Sequence, residues 1–337
     1  MLDMRKMLSY LLLGALLVVG LAGCGQQTAA GGGDVKLTLV AYSTPKEAYD
    51  EIIPAFQKTE AGKGVTFSTS YGASGAQSRA VASGLQADVV AFSLAPDIDR
   101  LVKAGIVSQD WNKDQYKGMV TDSVVVLAVR PGNPKHIKGW DDLIKPGIEV
   151  VTPNPFTSGG ARWNIMAAYG AQIKAGKSEQ KAEQYLKQLF DHVQVQDNSG
   201  RESLQTFLNG KGDVAITYEN EAINAKQKGE KLDYVVPDQT ILIENPVAVT
   251  KTTKHPDKAK AFVDFLRSEE AQKIFGQKGY RPVVKSVLSQ FDYPTPSGLF
   301  TIDDLGGWDT VTQKFFDPEK GVVAEIEKAK GVSVESK

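Results

Sequence analysis

Apolar and polar positions along this chain switch repeatedly between a continuous apolar run and a helical spacing. Val35 to Tyr42 is almost unbroken apolar sequence, the pattern of a buried strand. Pro45 to Gln57 then places Ala48, Ile52, Ile53 and Phe56 on one helical face, with Pro54 expected to kink or shorten the helix. Val65–Tyr71 reads as a strand, Ser74–Leu85 as a helix, Asp88–Phe92 as a strand, and the surroundings of Ile98 and Leu101 as a helix. Val124–Val129 is strand-like and runs into Pro131-Gly132-Asn133-Pro134, a turn cluster.

The alternation then restarts. Strands are expected at Ile148–Thr152, Val193–Val195, Val214–Tyr218 and Leu242–Val249. Helices are expected from Gly159 to about Lys174, at Ala182–Phe190, at Arg201–Leu208 (with Leu204, Phe207 and Leu208 apolar), and over 257–276 with Ala261, Phe262, Phe265, Leu266 and Ile274 inward. Strands alternating with helices imply an α/β protein with a mostly parallel sheet in each lobe.

The first residues break this pattern. Arg5 and Lys6 precede the apolar run Leu8–Leu21, and Leu21-Ala22-Gly23-Cys24 closes it. This is a secretory signal with a cysteine at the cut site, the pattern of a bacterial lipoprotein. Residues 1–23 are read as signal peptide, Cys24 as the lipidated first residue, and 24–33, with its run QQTAAGGG, as a flexible tether. The alternative is an uncleaved membrane helix, for which the run is short. The expected location is outside the cytoplasm, on the periplasmic side or the outer face of the cell membrane.

Composition narrows the function classes. The roughly 300 remaining residues exceed what one hydrophobic core usually serves, so two lobes are expected. With 39 basic and 40 acidic residues no field marks a nucleic-acid binder. Cys24 is the only cysteine, which excludes internal disulfides and a cysteine-based zinc site. His136, His192 and His255 are scattered in polar contexts and read as surface residues. No metal, cofactor or catalytic set is expected, and the chain is taken as a monomer.

Four strand-to-helix junctions share a chemistry: Ser43-Thr44-Pro45, Gly72-Ala73-Ser74-Gly75, Thr157-Ser158-Gly159-Gly160 and Asn198-Ser199-Gly200. Capping accounts for such residues at helix starts. Helix N-termini also present free N–H groups and a positive dipole end, glycine admits a ligand to the backbone, and hydroxyls add donors. An anion can be held this way without a cation. The junctions lie two before and two after the Pro-Gly-Asn-Pro turn, at the strand ends where ligands of open α/β sheets bind.

The runs IEVVTPNPFTSGGARWN (148–164), GDVAITYENEA (212–222), VRPGNPKHIKGWDDLIKP (129–146) and LFTIDDLGGW (299–308) resemble the periplasmic sulfate-binding proteins of sulfate/thiosulfate ABC importers. The resemblance covers about Leu37 to Trp308. It implies a two-lobed type II periplasmic-binding-protein fold with the anion between lobes, lobe 1 being 34–126 and 246–337 and lobe 2 being 127–245. It implies donors at Ser43, Ser74, Ser158, Gly159, Gly160, Gly200 and Tyr218, and a hinge near 125–130 and 242–248. It also implies ABC permease subunits as partners. The family commonly has Asp at Ser43, Ala at Gly200 and Trp at Tyr218.

Sulfate carries no proton at neutral pH and only accepts hydrogen bonds, so its ideal site is all donors, whereas a carboxylate would favour phosphate. Thiosulfate, molybdate and tungstate stay open as ligands. Arg162 and Arg201 follow two junctions and are open to three readings: contact with the anion, bracing of the loops from behind, or solvation. A secreted hydrolase is disfavoured, because Gly72-Ala73-Ser74-Gly75-Ala76 sets the second glycine one residue early for a nucleophile elbow. A P-loop is disfavoured because Ala171 stands where its first glycine belongs. A purely structural surface lipoprotein would not need four polar helix starts.

Overall fold

A computed structural model describes residues 35–334. The signal peptide, Cys24 and the tether lie outside the described residues. The strands are β1 (Val35–Tyr42), β2 (Val65–Gly72), β3 (Val89–Ala91), β4 (Met119–Val129), β5 (Val150–Val151), β6 (Val193–Val195), β7 (Val214–Tyr218), β8 (Asp233–Val235), β9 (Gln239–Val249), β10 (Arg281–Pro282) and β11 (Gly298–Phe300). They follow the order β2-β1-β3-β9-β4-β7-β5-β6, with β8 and β10 on β4 and β11 on β9.

Each end of this path is parallel. β1 pairs in parallel with β2 and β3, and β5 with β6 and β7. The middle is antiparallel and built from the two longest strands. β4 pairs with β9 up to Val124↔Leu242 and from Val125 onward with β7. β9 in turn passes from β4 to β3 at Pro246/Val247. Asp122 of β4 therefore sits opposite Glu244 of β9 on one side and Arg281 of β10 on the other.

The helices that matter for the site are α1 (Lys46–Gln57), α2 (Ser74–Ala82), α3 (Ala95–Lys103), α4 (Gly159–Lys174), α5 (Glu179–His192), α6 (Gly200–Leu208) and α7 (Glu219–Gln227). Pro54 is accommodated inside α1. The helix expected over 257–276 is two, α8 (Pro256–Leu266) and α9 (Glu269–Gln277). Ser268 divides them: its hydroxyl accepts from the Ala271 N–H and caps α9, with Glu269 and Glu270 in the first turn against the dipole.

One core lies under α1, α8 and α9, where Leu37, Ile52, Phe56, Phe262 and Phe275 are buried together. Another surrounds α4 and α5, with Trp163, Tyr185 and Leu186. The chain returns to this second core at its C-terminal end. Phe300, Val311, Phe315 and Val323 are buried there rather than with the first core.

Candidate functional site

Helix starts from both ends of the sheet converge on one small cavity. Its walls include Ser43, Ser74, Ser158, Gly160, Gly200 and Tyr218. A water-sized sphere can take up positions over about 20 Å³ there. This is room for one compact ion and little else.

The local sequence builds each wall differently. Ser158 caps α4 by accepting from the Ala161 N–H at 3.3 Å. An accepting hydroxyl keeps its own proton to donate. Ser199 and Glu202 form a reciprocal capping box at α6, which fixes Gly200 as the first helical residue. Helix α2 has no side-chain cap. The Ser74 hydroxyl instead donates to Asp97 Oδ2 at 2.6 Å and accepts from the Ser93 N–H at 2.9 Å. A Cβ on Gly160 would lie in ordinary contact with Ser158 Oγ (3.4 Å) and the Tyr218 hydroxyl (3.7 Å), which places this position beside both groups.

Gly159, the first residue of α4, turns its α-carbon away from the cavity. It lies in the seam between the two ends, where a Cβ would stand 2.5 Å from Leu94 Cδ2 and 2.9 Å from Ser93 Cβ. The Gly75 N–H crosses the same seam to the Thr157 carbonyl at 3.0 Å. The Trp163 indole N–H crosses to the Ser93 carbonyl at 2.8 Å, and Ser93 Oγ meets the Tyr218 hydroxyl at 2.6 Å.

Ser93, Asn164, Thr217 and Glu221 also line the cavity and were missed in the sequence. Ser93 had a usable signal: it follows a strand and precedes Leu94-Ala95-Pro96, a helix start with proline near N1. Glu221 is a buried carboxylate at an otherwise neutral wall, 2% exposed. Both its oxygens accept from Arg201, Nε to Oε2 and Nη2 to Oε1, each at 3.0 Å. Burial pushes its carboxyl above the ordinary range and Arg201 offsets part of that. Asp197 and Glu219 do not line the cavity; Asp197 accepts from Thr206 and Glu219 from Arg281.

Arg201 also reaches across the seam. It grips both oxygens of Glu47 at 2.7 Å and donates to the Thr44 carbonyl at 3.0 Å. Lys228 joins it on Glu47. Burial would raise the Glu47 carboxyl, but the bonds from Arg201 and Lys228 hold it down at about 2. Arg162 braces from behind, donating to the Pro155 carbonyl at 3.0 Å with its guanidinium over the Phe316 ring. Of the three readings open for the arginines, bracing fits both.

Residues 37–281 match the family of bacterial extracellular solute-binding proteins. The chain belongs to that family. It is 43% identical to the sulfate-binding protein of Synechococcus elongatus over 93% of each chain. It is 36% identical to the thiosulfate-binding protein of Pseudomonas aeruginosa, over 90% of this chain and 94% of that one. The solved structure of the sulfate-binding protein SubI from Mycobacterium tuberculosis is 48% identical and superposes with a TM-score of 0.82, over 84% of this chain and all of that one. The fold is the type II periplasmic-binding-protein fold, in agreement with the architecture expected. As members of an extracellular family these relatives bind solutes. Among the described residues no helix is long and apolar enough to cross a membrane, and no cluster of His, Cys, Asp and Glu is arranged to hold a metal ion.

Proposed function

We infer that this solute-binding protein captures sulfate outside the cytoplasm and delivers it to the permease of an ABC importer, without catalysis. One observation carries the reading: a cavity of single-ion size whose walls are hydroxyls and helix starts, and whose one carboxylate is occupied by Arg201. Such a wall donates and has little with which to accept, which suits a fully deprotonated dianion. Helix dipoles and N–H groups then compensate the charge without a cation.

The donors are Ser43, Ser74, Gly160, Gly200, the Ser158 hydroxyl and Tyr218. Gly159 contributes its N–H from the first turn of α4, its missing side chain serving closure. The lobes close about the crossing strands β4 and β9, near 125–130 and 242–248. An anion that touches both lobes only when they are shut shifts the population to the closed form. Lipidation at Cys24 keeps the receptor, a monomer, beside its permease.

Calorimetric titration with sulfate, thiosulfate, molybdate and phosphate tests this. Tight sulfate binding with a far weaker but measurable phosphate response is expected. Thiosulfate, a near-isostere, is the second reading, favoured by the similarity to a thiosulfate-binding protein. Preference for molybdate or phosphate, or no uptake of any, would overturn the assignment. For the anchor, recovery with membranes in the native host and release on Cys24→Ser are expected; no difference between the two would exclude lipidation.

A further inference from the structure

Two hydroxyls meet at the cavity wall from opposite sides of the seam. Ser93 follows β3 and Tyr218 ends β7, and their oxygens are 2.6 Å apart in a buried contact in which either can donate. Both residues line the cavity. The hydroxyl end of Tyr218 is the part beside Gly160 and Ser158. Ser93 is held there by its backbone: its N–H donates to Ser74 Oγ at 2.9 Å, and its carbonyl accepts from Trp163 at 2.8 Å and Asn245 at 2.9 Å. Its side-chain hydroxyl is left for Tyr218.

Such a pair has two protons, and the shared bond uses one. When Ser93 donates, Tyr218 has its proton to give to the cavity. When Tyr218 donates to Ser93, its oxygen turns a lone pair to the cavity instead. We propose that Ser93 and Tyr218 form a reversible hydroxyl relay that sets how strictly this receptor excludes anions carrying a proton. Facing sulfate, Ser93 donates to Tyr218 and Tyr218 donates to the anion. Facing hydrogen phosphate, the shared bond reverses: Tyr218 donates to Ser93 and accepts a hydrogen bond from the ligand's O–H, while the Ser93 hydrogen turns toward the cavity that Ser93 also lines.

Burial holds the Tyr218 phenol well above its ordinary value, so it stays an O–H over the physiological range. A chain of two hydroxyls polarises its terminal donor. An indole, which the resemblance leads one to expect at this position, can only donate and could not reverse. Ser93 acts through Tyr218 and is a positioning residue. The relay spans the seam and is complete only in the closed form. It rests on the oxyanion-receptor reading above.

The test is titration of the full-length chain with sulfate and with phosphate at mildly alkaline pH, where phosphate is a dianion with one proton. Ser93→Ala and Tyr218→Trp each remove the reversal, so each should raise the sulfate-to-phosphate affinity ratio about tenfold, one hydrogen bond's worth. In a Tyr218→Phe background, Ser93→Ala should change nothing further. A purely structural Ser93 would shift both anions alike and leave the ratio unmoved, and that result overturns the relay. So do equal effects of Ser93→Ala with and without the Tyr218 hydroxyl. If the wild-type chain takes up sulfate and the Ser93→Ala ratio stays at the wild-type value, the relay alone falls; if the wild-type chain takes up no sulfate, the receptor reading falls and the relay with it. The backbone bonds of Ser93 do not involve its side chain, so the variant folds, which its melting temperature checks.

Discussion

The cavity and the seam beside it solve opposite electrostatic problems with different parts. The cavity faces a ligand of stated charge with neutral groups: hydroxyls and the starts of α2, α4 and α6. The seam, which faces only protein, is fastened by full charges, Arg201 bridging Glu221 on its own side and Glu47 on the other. Neutral donors bind a dianion without a fixed counter-ion that a wrong anion could exploit equally. Charge pairs can fasten two surfaces because both partners belong to the protein and no selectivity is asked of them. Glu221 belongs to both regions, and Arg201 keeps its acceptors out of the cavity.

Four changes separate the roles, from the largest effect on binding to the smallest. Gly159→Val drives a side chain into Leu94 and Ser93 across the seam, so the closed form should be lost and sulfate affinity should fall about a hundredfold or more. Calorimetry together with solution scattering checks this, and a closed, tight-binding variant would refute the seam assignment. Ser158→Ala removes one donor to a charged ligand and should cost about tenfold or more, with little salt dependence. Unchanged affinity there would remove Ser158 from the site.

Glu47→Gln spares the Arg201–Glu221 pair and loosens only the link across the seam. A drop of about fivefold that shrinks in high salt is expected in titrations at two ionic strengths. Equal loss at both would mean that Glu47 does not act through its charge. Asp122→Asn, on the crossing strands, should leave affinity within about twofold and change stability instead. Burial first, and then Glu244 opposite, push the Asp122 carboxyl up to about 8, with Arg281 opposing. Its folded value lies above the unfolded one near 4, so the stability it contributes is complete below about pH 4 and is lost as pH rises toward about 8. The wild-type melting temperature should therefore fall more steeply across that window than the variant's, by several degrees. Parallel slopes would exclude the coupling.

Much of this was legible in the chain. The four polar junctions were readable because helix starts demand Ser, Thr, Asn or Gly for local reasons, and each junction contributes residues to the cavity lining. β1, β6 and β7 were readable to the residue and α4 from its Gly159 start, because β-branched or apolar runs end at polar or glycine-containing junctions there. Other features depended on distant partners. Glu221 sits in an acidic stretch, Glu219-Asn220-Glu221, that reads as a solvated helix start, and only the fold brings Arg201 against it. Met119–Ser123 mixes polar and apolar residues, so the first half of β4 emerges only when β9 pairs with it. Ser268 lies within a continuous amphipathic period, which hid the break between α8 and α9. The return of Phe300 and Phe315 to the α4 core is set by tertiary packing, which no local period encodes.

Trp163 gives the seam a further consequence. Its indole is fully buried, donates across the seam to Ser93, and meets Trp308 edge-on at 4.7 Å between ring centroids. Parting the lobes would break that bond and admit water to the ring. Its emission should shift as the lobes part, so an unlabelled sample would report occupancy by its own fluorescence.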